Sequence, residues 1–194
     1  MFRPIAAVSL LAHAAMAFAV MLFLAASPLA AQTTDGSSDN YSPVMVELKA
    51  RPTVALGGAA EWDEGMRTIA DAIAKLRKQM TDAGLEPAGK PLAVFVETDD
   101  KGFRYEAMIP LAAKPEAPPA LPDGTRIATS PSGRTMKFEH RGSYDEIDTT
   151  YEAITAYLDE KGLEAQNLFV EEYLNLQKSP DEDGAQVDIY VFLK

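Results

Sequence analysis

Three short strings in this chain return, in the same order, further along it. Trp62-Asp63-Glu64 is answered by Tyr144-Asp145-Glu146, Gly84-Leu85-Glu86 by Gly162-Leu163-Glu164, and Phe95-Val96-Glu97 by Phe169-Val170-Glu171. Around each set the hydrophobic periodicity changes in the same way, from strand to helix to strand to strand. A chain that repeats its element order is expected to fold as two modules packed about an approximate two-fold axis, each helix covering its own strands. The expected class is α+β: two strand-helix-strand-strand modules, an antiparallel sheet with one helix per module.

The first module is expected over residues 44–111. Residues 44–48 and 53–56 read as strand, interrupted by Pro52 and closed by Gly57-Gly58. Met66, Ile69, Ala70, Ile73, Leu76 and Met80 recur at helical spacing behind Trp62, and Gly84 is the stop. Residues 92–98 and 103–111 read as a hairpin around Asp99-Asp100-Lys101-Gly102. Pro115, Pro118, Pro119 and Pro122 exclude helix and central strand from residues 112–124, which read as a surface connector. In the second module, 125–194, a strand over 135–139 ends at Gly142. Tyr144 opens a helix with the stripe Ile147, Tyr151, Ile154, Tyr157 and Leu158, and Gly162 closes it. Strands at 168–175 and 187–193 complete the copy.

Residues 1–31 lie outside this scheme. They carry one charge, Arg3, then an apolar run from Ile5 to Ala26 broken by Ser9 and His13, then Ser27-Pro28 and the small residues Ala30 and Ala31. That is the layout of a secretory signal. The run also has about the 20 residues that span a bilayer, so an uncleaved anchor is the other option, although Pro28 and the alanines favour cleavage. In both cases the domain is expected outside the cytoplasm, in the periplasm or anchored to the inner membrane facing it. Residues 32–43 read as a flexible tether. With no cysteine, disulfides and thiolate metal sites are excluded. The 18 basic residues less Arg3 leave 17 against 29 acidic ones, a net charge of −12 for the exported part. Such a domain repels nucleic acid and anionic lipid, mildly favours cationic ligands, and is expected to meet membrane only through its N-terminal segment.

Candidate chemistry concentrates on the strand near residue 170. Alternation places Phe169, Glu171, Tyr173 and Asn175 on one face and Leu168, Val170 and Leu174 on the other, so an acid sits among aromatics. Such an acid is either solvated at an open face or the polar anchor of an apolar pocket. If the modules pair their sheets, the face bearing Phe95 and Glu97 and the face bearing Phe169 and Glu171 line one cleft. A register shift of one residue would exchange Glu171 for Glu172. Trp62 and Tyr144, just before helix starts, staple a helix or touch a ligand; Tyr190 and Met108, on matching last strands, line the pocket or pack. His140 reads as a strand-end surface residue, and Asp181-Glu182-Asp183-Gly184 as a solvated turn. With no histidine cluster, phosphate-cradling loop or nucleophilic triad, neither a metal nor a cofactor is expected.

Taken together, residues 133–146 (Gly-Arg-Thr-Met-Lys-Phe-Glu-His-Arg-Gly-Ser-Tyr-Asp-Glu), Gly162-Leu163-Glu164, Glu171-Glu172-Tyr173-Leu174-Asn175 and Val187-Asp188-Ile189-Tyr190-Val191 resemble the GyrI-like small-molecule-binding domain. That domain also serves as the effector-binding part of AraC-type and MerR-type regulators; the first half of this chain resembles it more loosely. The resemblance implies a pocket between two modules for bulky, often cationic, aromatic molecules, with a glutamate at its base. It puts that glutamate at Glu171, with Tyr173 and Tyr144 beside it. Some members of the family hydrolyse electrophilic cyclopropane-bearing compounds with such a glutamate. The chain departs from the family in having Glu172 where an aliphatic residue is usual, and in the longer turn after Asn175. No DNA-binding helices precede the domain, so transcription control within the same chain is not expected. The leading expectation is a non-catalytic exported module holding a small hydrophobic or cationic molecule. The alternatives are a hydrolase using Glu171 and a structural or partner-binding envelope domain.

Overall fold

The computed structural model describes residues 43–122, 124–176 and 183–194. The expected signal segment, the tether through residue 42, and Asp181 and Glu182 lie outside the described residues. Among the described residues no helix is long and apolar enough to cross a membrane.

Eight strands and two helices make up the domain: β1 (Val44–Leu48), β2 (Pro52–Glu61), α1 (Gly65–Asp82), β3 (Leu92–Thr98), β4 (Gly102–Pro110), β5 (Thr125–Thr129), β6 (Gly133–Gly142), α2 (Ile147–Lys161), β7 (Ala165–Asn175) and β8 (Ala185–Leu193). The strands form one open antiparallel sheet in the order β1-β6-β8-β7-β3-β4-β2-β5, so the class is α+β. A single 3-10 turn, Trp62–Glu64 or Tyr144–Glu146, leads into each helix. α2 ends where Gly162 takes a left-handed conformation, φ 61°, which its missing Cβ permits.

Three features differ from the sequence reading. β2 runs through Gly57-Gly58 to Glu61, because glycine at 58 makes room rather than a turn. A Cβ there would lie 2.6 Å from the ring of Tyr105, whose hydroxyl donates to the Thr68 carbonyl on α1 at 3.2 Å. β1, expected beside β2, pairs with β6 at the far edge. β5, a short strand behind the proline-rich connector, pairs with β2 at the opposite edge. Its Thr125 donates to buried Gln79 of α1 at 2.8 Å, which fixes the end of the connector.

These two edge strands force the sheet to curl. β1 and β2 lie six strand positions apart, about 29 Å in a flat sheet. Only Lys49, Ala50 and Arg51 join them, a reach of about 14 Å at most. β5 and β6 stand the same number of positions apart, joined by Ser130, Pro131 and Ser132. The two linkers also bond each other: the Arg51 N–H donates to Ser130 Oγ at 3.0 Å, and the Ser130 N–H donates to the Arg51 carbonyl at 2.9 Å.

Both faces of the sheet are therefore occupied. The helix face carries the main core, in which Met66, Ile69, Ile73, Leu76 and Met80 of α1 meet strand residues such as Val54, Phe95 and Ile109. The opposite face carries a smaller cluster of Ala55, Leu92, Val94, Met108, Val170, Tyr190 and Phe192, with Leu48 and Ala128 of the two edge strands packed on it. The helices are held unequally. α1 buries five large apolar side chains; α2 buries Ile147, Ile154 and Leu158 and packs the half-buried Tyr151 and Tyr157 on the same core.

Candidate functional site

β7 lies inside the sheet between β8 and β3. Its pairing with β8 is continuous from Phe169 to Tyr173, so strict alternation holds there. Phe169, Glu171 and Tyr173 face the helices; Leu168, Val170 and Glu172 face away. Glu171 is 1% exposed, and three phenol hydroxyls close on it. Tyr144 of the turn before α2 and Tyr173 of β7 each donate to Oε2 at 2.6 Å, and Tyr151 of α2 donates to Oε1 at 2.8 Å.

These bonds are short, as hydrogen bonds to an ionised carboxylate are. None of the partners is basic. Burial pushes the Glu171 carboxyl up and the three hydroxyls pull it down, with burial prevailing. The same burial, together with the glutamate charge, pushes Tyr144, Tyr151 and Tyr173 well above the usual phenol range, so all three remain donors at neutral pH.

From this cage a line of rings crosses the β7/β3 boundary. Tyr151 lies 5.8 Å from Phe169, Phe169 5.4 Å from Phe95, Phe95 5.0 Å from Phe103, and Phe103 4.9 Å from Trp62. Phe169 and Phe95 thus stand next to the cage. Trp62 is at the far end of the line, its indole N–H donating to the Asp99 carbonyl at 2.9 Å.

Two of the candidate residues lie elsewhere. A β-bulge between Phe95 and Glu97 sets Glu97 opposite Arg104, on the face away from Phe95. There its side chain is 67% exposed and pairs with Arg104 at 3.4 Å, so the two Phe-Val-Glu strings do not line one cleft. Tyr190 is on the face away from the helices and donates to Glu172 Oε2 at 3.1 Å. The Arg51 guanidinium donates to the other Glu172 oxygen at 3.1 Å. Glu171, not Glu172, is the acid of the aromatic face.

No open cleft leads to Glu171 from either of two surface depressions. One of about 380 Å³ lies against Ala59, Gly102, Phe103 and Arg104, and a smaller one of about 150 Å³ against Gln79, Ala83 and Pro122. Among the described residues no cluster of side chains is suited to hold a metal ion.

Two participants were hidden in the sequence. Tyr151 reads as one more member of an apolar stripe. Its spacing of seven from Tyr144, two helical turns, was the available signal that both hydroxyls come down on one point. His140 is 3% exposed rather than on the surface. Its Nδ1 is 2.8 Å from the Thr150 hydroxyl and its Nε2 2.9 Å from the Ser143 carbonyl, and burial holds its pKa below the usual imidazole value.

The fold has counterparts among solved structures. The cryo-EM structure of an EcmrR–DNA complex aligns with a TM-score of 0.65 at 12% identity, over 79% of this chain and 57% of that one. The chain thus spans little more than half of that relative. The EcmrR C-terminal domain aligns with a TM-score of 0.63 at 14% identity, over 79% and 98% of the two chains. SAV2435 bound to tetraphenylphosphonium aligns with a TM-score of 0.52 at 15% identity, over 79% and 94%. At these identities the likeness concerns the fold. A search of curated protein sequences returned no match. The family model of the GyrI-like small molecule binding domain matches residues 41–194, the whole of the described sheet and both helices, and the chain therefore belongs to that family.

Proposed function

We propose that this domain is an exported binding protein for a small hydrophobic or cationic molecule, anchored by Glu171 where β7 meets β3. The observation that carries the reading is a buried carboxylate with three neutral donors and, among the described residues, no basic partner. Such a group is one cation short of neutrality, and a ligand cation supplies that charge while the rings of Tyr151, Phe169 and Phe95 receive its apolar body. SAV2435, of the same fold, has been solved with a lipophilic cation. Export rests on the layout of residues 1–31. The two-module reading draws support from the sheet order: β3-β4-β2 and β7-β8-β6 repeat one arrangement and meet at β3/β7.

Access requires movement, because Glu171 is covered. The segment to move is Tyr144 with α2, since it supplies two of the three hydroxyls and its helix has fewer fully buried apolar side chains than α1. The test is a pair of titrations with probes of one shape and opposite charge. Tetraphenylphosphonium is expected to bind at least tenfold tighter than tetraphenylborate, and Glu171→Gln to abolish that preference. Equal affinity for the two probes contradicts the reading.

A second reading, hydrolysis of an electrophilic small molecule, is favoured by the raised pKa of Glu171. A carboxylate of enhanced basicity activates water, and the flanking phenols stabilise developing negative charge. Product formation lost in Glu171→Gln and retained in Glu172→Gln would support it; turnover unchanged in the first variant removes it.

A further inference from the structure

As at the start of α1, no side-chain N-cap hydrogen bond is made to the 3-10 turn before α2 or to α2 itself, although a helix start often has such a partner. His140, on the last turn of strand before it, occupies the gap. The Ser143 carbonyl accepts only, so Nε2 carries the proton and donates to it at 2.9 Å, which leaves Nδ1 to accept from the Thr150 hydroxyl at 2.8 Å. The same Ser143 carbonyl accepts the Glu146 N–H at 3.1 Å. One imidazole therefore touches β6, the turn and the first turn of α2. Its ring also stands edge-on to Tyr144, centroids 6.4 Å apart at 80°.

We propose that His140 is the latch that holds the Tyr144–α2 segment closed over Glu171, a positioning residue that sets how often the cage opens without itself touching the ligand. The inference rests on the reading of Glu171 as the ligand anchor, and it adds what controls access to that anchor. α2 has three fully buried apolar side chains against five in α1, so removal of two hydrogen bonds at its start changes the balance between closed and open states. α1, with its five large buried side chains, has no such dependence.

Hydrogen exchange of the free protein tests this without any ligand, read over residues 147–161 and, as an internal control, over 65–82. His140→Phe keeps ring volume and loses both bonds; it is expected to raise exchange in α2 about thirtyfold. Thr150→Val and His140→Gln each lose one bond, and about fivefold is expected for each, the glutamine amide retaining a donor for the Ser143 carbonyl. α1 is expected to stay within about twofold in every variant. Equal acceleration in both helices would show general loosening and overturn the latch, as would unchanged exchange in α2. The association rate of tetraphenylphosphonium is expected to rise in the order wild type, Thr150→Val, His140→Phe. A wild type that binds no tetraphenylphosphonium counts against the Glu171 reading, whereas the exchange contrast alone decides the latch.

Discussion

Glu171 and Glu172 are neighbours on one strand with opposite circumstances. Glu172 faces away from the helices, is met by the Arg51 guanidinium and the Tyr190 hydroxyl, and its charge is compensated within the chain. Glu171 faces the helices, is more deeply buried, and is met, among the described residues, by three phenols and no cation. The difference follows from the two-residue period of a strand, which sends adjacent side chains to opposite faces. A buried acid that already has its countercharge is a structural tie. One that has donors but no countercharge is stable enough to fold and still has something to gain from a cationic ligand.

Removing donors from Glu171 should have the largest effect on the free protein. In the double variant Tyr144→Phe, Tyr151→Phe the carboxylate keeps only Tyr173, and a loss of about 3 kcal/mol in unfolding free energy is expected. The Glu171 pKa should also climb further, which the pH dependence of denaturant midpoints would show. A double variant as stable as wild type would mean that the hydroxyls do not support the charge.

Breaking the other tie should cost less. Arg51→Met removes the cation facing Glu172, but the guanidinium side chain is 34% exposed and water reaches the pair. About 1 kcal/mol is expected, again from denaturant midpoints, with no change in affinity for a cationic probe. A large loss of affinity would put Glu172 into the site and erase the contrast.

The smallest expected effect is in the pH profile, where two groups oppose each other. Burial holds the folded pKa of His140 below the ordinary imidazole value of about 6.5, with the Ser143 carbonyl and Glu146 raising it and Arg141 lowering it. The unfolded chain therefore takes up its proton first, and stability falls as pH drops below about 6.5. Glu171 has its folded pKa above 4.5, so the folded chain takes up that proton first and stability is regained as pH falls through the folded value. Melting temperatures between pH 8 and 4 should decline more steeply in Glu171→Gln and less steeply in His140→Gln than in wild type. Parallel curves for all three would contradict both assignments.

Much of this contrast was legible in the sequence, because it depends on alternation in a strand of clear pattern. The alternation that parts Glu171 from Glu172, up to a one-residue shift of register, and the place of Tyr144 at the entry to α2 follow from local periodicity, whereas the meeting of β7 with β3 was expected only if the two modules paired their sheets. What was not legible depends on tertiary geometry. The bulge that turns Glu97 outward leaves no mark in Phe95-Val96-Glu97, which reads like the string Phe169-Val170-Glu171. The exchange of edge strands gives β1 and β5 partners far away in sequence, and each is too short to announce its pairing. His140 looked like a strand end on the surface because burial there comes from α2 folding back over it.

The claim that Glu171 is the acid short of a countercharge is tested most directly by titrating tetraphenylphosphonium into wild type, Glu171→Gln and Glu172→Gln side by side. A loss of about 3 kcal/mol, roughly a hundredfold in Kd, is expected for Glu171→Gln, and less than about threefold for Glu172→Gln. Equal losses in the two variants, or a loss confined to Glu172→Gln, would contradict the account.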